Sequence, residues 1–240
     1  MPRLEVCQLL TAGFDQALEL VPDGVKLCNA IGVHDASTAE LAIGLMLTSR
    51  RAIDDAVRAM QLGSWDHRSH SSLADARVLV IGAGGVGRAI RDRLMAFEVS
   101  VQLVGRTARS DIAGIDQIFS LLPISHIVVM ATPLNPSTQR MVDAEFLSRM
   151  ASGALLVNVS RGQVVDTEAI LGEIGRLRFA LDVTDPEPLP PGHPLWSAPG
   201  VIVTPHLGGN TSAFVPRARA LVTSQIHAWQ SGETLQGVVN

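Results

Sequence analysis

An α/β chain built on a doubly wound parallel sheet, of the Rossmann type, is the fold class the sequence predicts, on three observations. Short runs rich in Val, Ile and Leu alternate with helix-period patterns from Val78 onward, and such alternation belongs to parallel sheets covered on both faces. The first run, Val78-Leu79-Val80-Ile81, breaks into Gly82-Ala83-Gly84-Gly85-Val86-Gly87, a Gly-x-Gly-x-x-Gly turn. After the turn, Val86, Ile90, Leu94 and Phe97 share one helical face. In such a turn Gly82 permits the tight bend, Gly84 lets the backbone approach a pyrophosphate, and Gly87 lets the helix close on the sheet. The N–H groups and positive dipole end of the helix then face the anion.

The remaining elements follow in chain order. Ser37-Thr38-Ala39-Glu40 has the form of a capping box and opens a helix expected over residues 37–63. Its part at 41–47 is apolar on nearly every face, so it should be buried, between domains or subunits. Ile53, Val57 and Met60 continue a single stripe. Strands are predicted at 78–81, 99–104, 126–130, 155–159, 179–182 and 201–203, six in all, the usual count for a dinucleotide-binding sheet. Asp143 reads as the N-cap of a short helix carrying Phe146, Leu147 and Met150, and Asp166 as the cap of another that ends before Gly175. Residues after His206 form a helical tail. The predicted division is therefore 1–34 and 206–240 as parts of a second domain, interrupted by a dinucleotide-binding domain over 35–205. The two flanks together fall well short of the roughly 100–150 residues of an ordinary domain.

Composition narrows the function classes. The 240 residues are 47% hydrophobic with a net charge of −4, enough for a sizeable core. No run of Lys or Arg exceeds two, which leaves no electrostatic footprint for nucleic acid. The apolar run at 41–47 is far too short to cross a bilayer. Glu5, Gln8 and Asp15 interrupt any signal-like stretch. Cys7 and Cys28 lack metal-ligand spacing and read as reduced, buried thiols, with no metal site implied. A cytoplasmic protein without membrane association is expected.

Three segments carry ionisable groups to strand ends. Residues 155–162 deliver Arg161, 181–188 end in a proline-stiffened loop with Glu187, and 203–209 deliver His206. Singly, each has an ordinary structural reading. Together, at the carboxyl ends of parallel strands where such sheets bind ligands, they form a site. In these segments and in Leu10-Thr11-Ala12-Gly13-Phe14-Asp15 the chain resembles the D-isomer-specific 2-hydroxyacid dehydrogenase family, which includes phosphoglycerate dehydrogenase and glyoxylate/hydroxypyruvate reductase. The resemblance implies an oxidoreductase passing hydride between a nicotinamide cofactor and a small 2-oxo or 2-hydroxy acid. It implies Arg161, Glu187 and His206 as catalytic groups. Substrate contacts would come from Arg161, His206 and the backbone N–H groups of Ala12 and Gly13. Cofactor contacts would come from Gly82, Gly84, Gly85, Val86, Gly87, Thr132, Pro133, Val159, Asp182 and Gly208, with Asp182 at the nicotinamide amide. The residue types suit this chemistry. Arg161 can hold the carboxylate and polarise the ketone, His206 can supply the alcohol proton, and a carboxylate beside the imidazole stabilises its protonated form. Formate dehydrogenases of similar sequence are expected to carry Gln where Glu187 stands, so Glu187 favours alcohol–ketone chemistry.

An NAD-preferring site would place Asp or Glu about 20 residues past the glycine turn. Here Arg106 stands nineteen positions beyond Gly87, followed by Thr107 and Arg109, with no carboxylate until Asp111. This predicts NADP(H) as the preferred cofactor, with NAD(H) as the alternative. The resemblance further implies that the incomplete substrate domain is flavodoxin-like and lacks its leading strands and helices, leaving exposed edges. It implies a homodimer through the 37–63 helix. The rival reading is a catalytically impaired, NAD(P)-binding, dimerising scaffold.

Overall fold

A computed structural model describes residues 4–240. Two short parallel strands, β1 (Val6–Gln8) and β2 (Lys26–Cys28), pair as a small sheet of their own. Helix α1 (Asp35–Arg50) and helix α2 (Ile53–Gln61) follow. Then come β3 (Arg77–Ile81), α3 (Gly85–Leu94), β4 (Ser100–Gly105), β5 (Ile112–Gly114), α4 (Ile118–Leu121) and β6 (Ile127–Met130). The rest is α5 (Ala144–Arg149), β7 (Leu155–Asn158), α6 (Thr167–Gly172), β8 (Arg178–Leu181), β9 (Val201–Val203) and α7 (Phe214–Gln230). The main sheet has the order β5-β4-β3-β6-β7-β8-β9, and every pair in it is parallel.

Seven strands stand where six were expected. The addition is β5, three residues with a glycine at one end, too short to show a period. The doubly wound α/β class is as predicted. Chain direction across the sheet reverses between β3, which leads outward to β4, and β6, which begins the other half. That reversal opens a crevice at the carboxyl ends of β3 and β6, where such sheets bind ligands.

Alternate residues of the central strands enter opposite cores, as the period of two requires. Val78, Val80, Ile127, Val129, Leu155 and Val157 pack under Ala39, Ala42, Ile43, Met46, Ile90 and Leu94 of α1 and α3. Leu79, Ile81, Val128, Met130 and Leu156 pack on the other face with Phe146, Leu147, Ala169 and Ile170 of α5 and α6. The expected caps are present: Asp143 accepts from the Phe146 N–H at 2.9 Å and Asp166 from the Glu168 N–H at 3.1 Å.

The 37–63 helix differs from expectation in three ways. It begins at Asp35, with His34 at the N-cap position. Ser37 does not cap; its hydroxyl shares a 2.8 Å hydrogen bond with the Thr211 hydroxyl. The helix also breaks at Ala52, which adopts φ 48°, so α2 sets off separately. The apolar stretch at 41–47 is buried, as expected, and what covers it is the chain's own α3 and sheet. By contrast, no residue of α2 is buried.

The C-terminal helix returns to the N-terminal sheet. Ala218 and Leu221 pack with Ala30 and Val33, the Gln225 amide donates to Gln8 at 2.7 Å, and the Asn240 side chain accepts from Leu27 N–H and donates to Val25 O. Both cysteines are free thiols, Cys28 buried and Cys7, against expectation, only half-buried. Burial pushes the Cys28 thiol up. Among the described residues no helix is long and apolar enough to cross a membrane.

Candidate active site

The segments that follow β6 and β7, with Val86 at the start of α3 and the segments at 10–15 and 206–210, wall a cleft of about 510 Å³. The glycine turn meets it through Val86. Gly82 lies at φ +120°, and a Cβ there would strike Ala131 O at 2.2 Å, while one at Gly87 would strike Gly82 O at 1.8 Å. Nothing lies within 4 Å of the place where Gly84 would carry a Cβ, so the helix N-terminus is open to a ligand. The Thr132 hydroxyl, on the cleft wall beside Pro133, is buried without a hydrogen-bond partner. An orphan hydroxyl on the wall of a cleft that also holds an open helix N-terminus fits a dinucleotide. Val86, Val159 and Gly208 line the same cleft. Asp35, not anticipated from sequence, puts its carboxylate against the turn, 2.0 Å from where a Gly85 Cβ would stand. Burial raises its pKa, opposed by His34 and Arg217.

Arg161 is delivered by a turn built on Asn158. The Asn158 carboxamide oxygen accepts from Ser160 N–H and hydroxyl at 3.1 and 2.7 Å, and its NH₂ donates to Arg161 O at 2.9 Å. These bonds give a physical reason for an Asn three residues before Arg161. The guanidinium then crosses Gly13 so closely that a Cβ there would lie 1.3 Å from Nη2. Its Nη1 donates to Ser160 O at 2.8 Å and its Nε to Asp15 Oδ1 at 3.3 Å. Asp15, not singled out as a site residue from the sequence, lies on the cleft wall beside Arg161.

His206 lies across the cleft. Its Nδ1 is 2.6 Å from Glu187 Oε1, and its backbone holds the left-handed conformation at φ 53°. A non-glycine residue there costs about 1–3 kcal/mol and persists only when its surroundings enforce it. Asp182 does so. Its backbone carbonyl accepts from His206 N–H at 2.8 Å. Its carboxylate, 3% exposed, accepts from the Thr204 hydroxyl and from Leu207 and Gly208 N–H at 2.7, 2.7 and 2.9 Å. The residue expected at a nicotinamide amide therefore spends most of its hydrogen-bonding capacity on the loop that carries His206. The Glu187 loop is pinned by Thr167, whose hydroxyl donates to Asp185 O at 2.6 Å, and by Thr184, which donates to Pro186 O at 2.9 Å.

Arg106, Thr107 and Arg109 are exposed just beyond β4. They stand beside the glycine turn, since a Cβ on Gly105 would be 3.5 Å from Ala83 Cβ. The nearest following carboxylate, Asp111, is turned away to Arg91 at 3.1 Å. Among the described residues neither Arg106 nor Arg109 has a salt-bridge partner.

Residues 43–208 match the profile of the D-isomer specific 2-hydroxyacid dehydrogenase NAD binding domain, and the chain belongs to that family. A glyoxylate reductase/hydroxypyruvate reductase of Mus musculus is 32% identical over 97% of this chain and 76% of its own length. A glyoxylate reductase of Thermofilum pendens is 30% identical over 100% of the chain and 76% of its own. Among solved structures, an NADPH-dependent glyoxylate/hydroxypyruvate reductase of Sinorhizobium meliloti bound to NADP and sulfate superposes with a TM-score of 0.90 at 26% identity, covering 100% of this chain and 79% of that one. A D-isomer specific 2-hydroxyacid dehydrogenase of Xanthobacter autotrophicus bound to NADPH and MES gives 0.88 at 30% identity, with 100% and 79% coverage. Members of the family are oxidoreductases of small hydroxy and oxo acids, and this chain is one of them.

Proposed function

We propose that the chain is an NADP(H)-preferring reductase of small 2-oxo acids, of the glyoxylate and hydroxypyruvate type. One observation carries the reading: Arg161 and His206 face a single cleft beside the glycine turn, and Glu187 holds His206 Nδ1 at 2.6 Å. A bound nicotinamide would supply the hydride. The N–H groups of the 84–87 turn and the Thr132 hydroxyl would hold the cofactor. The backbone N–H groups of Ala12 and Gly13 would take the substrate carboxylate, and the free N–H groups of Arg161 would hold it and polarise the keto oxygen. With Nδ1 bonded to Glu187, the imidazolium offers Nε2–H to that oxygen, and Glu187 offsets the ring's charge. Arg106, Thr107 and Arg109 would receive a 2′-phosphate, which a carboxylate there would repel.

The unburied α2 supports a homodimer, since Ile53, Val57 and Met60 stand 46, 48 and 71% exposed along one helix. The contacts of α7 with β1 and β2 support reading 1–34 and 206–240 as one substrate-side unit against the 35–205 domain.

The test is oxidation of NADPH and of NADH by the purified chain with glyoxylate and hydroxypyruvate. Turnover with a KM for NADPH at least tenfold below that for NADH is expected. An equal or lower KM for NADH would remove the cofactor preference, and no turnover of either acid would remove the reductase reading.

A further inference from the structure

Charges in the cleft come in pairs. Glu187 opposes His206, and Asp15 opposes Arg161 in an ion pair of 3.3 Å between side chains 25% and 30% exposed. The other carboxylate on the cleft wall, Asp182, is occupied by three donors. The remaining ionisable wall residue, His34, donates through Nε2 to Leu10 O at 2.8 Å and stacks on Phe214 with centroids 5.3 Å apart. The rest of the wall is uncharged, combining Leu10, Phe14, Leu134 and Phe214 with the hydroxyls of Thr11 and Ser160 and the amide of Asn210. Arg161 has five N–H groups. One goes to Asp15 and one to Ser160 O, which leaves three for a ligand.

We propose that Asp15 sets the substrate class of this cleft: by occupying one edge of Arg161 it leaves the anchor able to take a single carboxylate, so the site accepts 2-oxo acids with one carboxylate and a neutral tail and rejects 2-oxo dicarboxylates. The argument rests on the 2-oxo-acid reading above. A second substrate carboxylate would meet uncharged side chains and the negative charge of Asp15, with no unpaired cation among the described lining residues. Burying an unpaired charge in such surroundings is strongly unfavourable. Asp15 is a positioning residue, acting through Arg161. It also joins the 10–15 segment to the end of β7, 146 positions away in sequence, and so aligns the two halves of the site.

The experiment measures binding as well as turnover. Calorimetric Kd values are taken for oxamate, a monoanion, and oxalate, a dianion, on the NADPH-loaded chain, for wild type, Asp15→Asn and Asp15→Glu. Alongside them, kcat/KM is measured for hydroxypyruvate and oxaloacetate. Wild type is expected to favour oxamate at least tenfold. Asp15→Asn should narrow that ratio at least fivefold, chiefly by tightening oxalate, and raise oxaloacetate relative to hydroxypyruvate, while NADPH affinity stays within twofold. Asp15→Glu should keep the preference. A merely structural role for Asp15 would weaken both anions in parallel, and that result overturns the proposal, as does wild type binding neither anion. The expected binding ratios without turnover of any oxo acid would leave the charge pairing standing and remove only the reductase reading.

Discussion

At Gly13 the backbone passes so close to Arg161 that any side chain would occupy the guanidinium's place. Gly13→Ala should therefore displace Arg161 and lower kcat/KM for hydroxypyruvate by about a hundredfold, the scale expected for a misplacement of about 1 Å. NADPH affinity, measured by fluorescence quenching, should hold. A parallel loss of cofactor binding would show that the effect is not local. Arg161, Glu187 and His206 were legible in the sequence because apolar runs locate strand ends, and strand ends in a parallel sheet face the ligand. Asp15 was less legible. Its partner is 146 positions away, and nothing in its immediate neighbourhood marks it as more than a loop acid. Asp182 was singled out in the sequence, but its hold on the His206 loop was not, because a sequence does not show that the backbone amides of Leu207 and Gly208 fold back onto its carboxylate.

Among the elements, the caps at Asp143 and Asp166 were readable because capping is local chemistry. The Ser37 capping box looked equally good, yet the Ser37 hydroxyl is taken by Thr211 from the far end of the chain. The break between α1 and α2 was invisible for a related reason: the left-handed residue is Ala52, with neither Gly nor Pro to announce it. The short helix α6 offers a measurable consequence. Asp166→Ala should cost about 1 kcal/mol in urea unfolding at neutral pH. Arg140 holds the Asp166 carboxyl below the usual carboxylate range, chiefly through their hydrogen bond. A group whose folded-state pKa is depressed adds stability above its unfolded value, near about 4, and loses it as pH falls through the folded value. The stability difference between wild type and Asp166→Ala should therefore shrink below about pH 4. A difference that stays constant into acid would assign the whole effect to packing.

Over the whole molecule, α1 and α3 close one face of the sheet and α5 and α6 the other, so the core is complete without a partner there. By contrast, no residue of α2 is buried. Burying its stripe in a homodimer predicts that Met60→Glu, a change at a residue 71% exposed, converts a dimer to a monomer by light scattering at micromolar concentration. It should do so with little loss of monomer stability. A wild-type chain that is already monomeric would end the dimer reading, and the exposed stripe would need another explanation.

The central claim is that His206, held by Glu187 and facing Arg161 across the cleft, is the proton donor to the substrate oxygen. Its most direct measurement is hydroxypyruvate reduction by His206→Asn beside wild type, with NADPH binding followed in parallel. A fall in kcat of about 10²–10⁴-fold is expected for loss of a general acid, with the Kd for NADPH within twofold of wild type. Turnover at the wild-type rate in the variant would contradict the account.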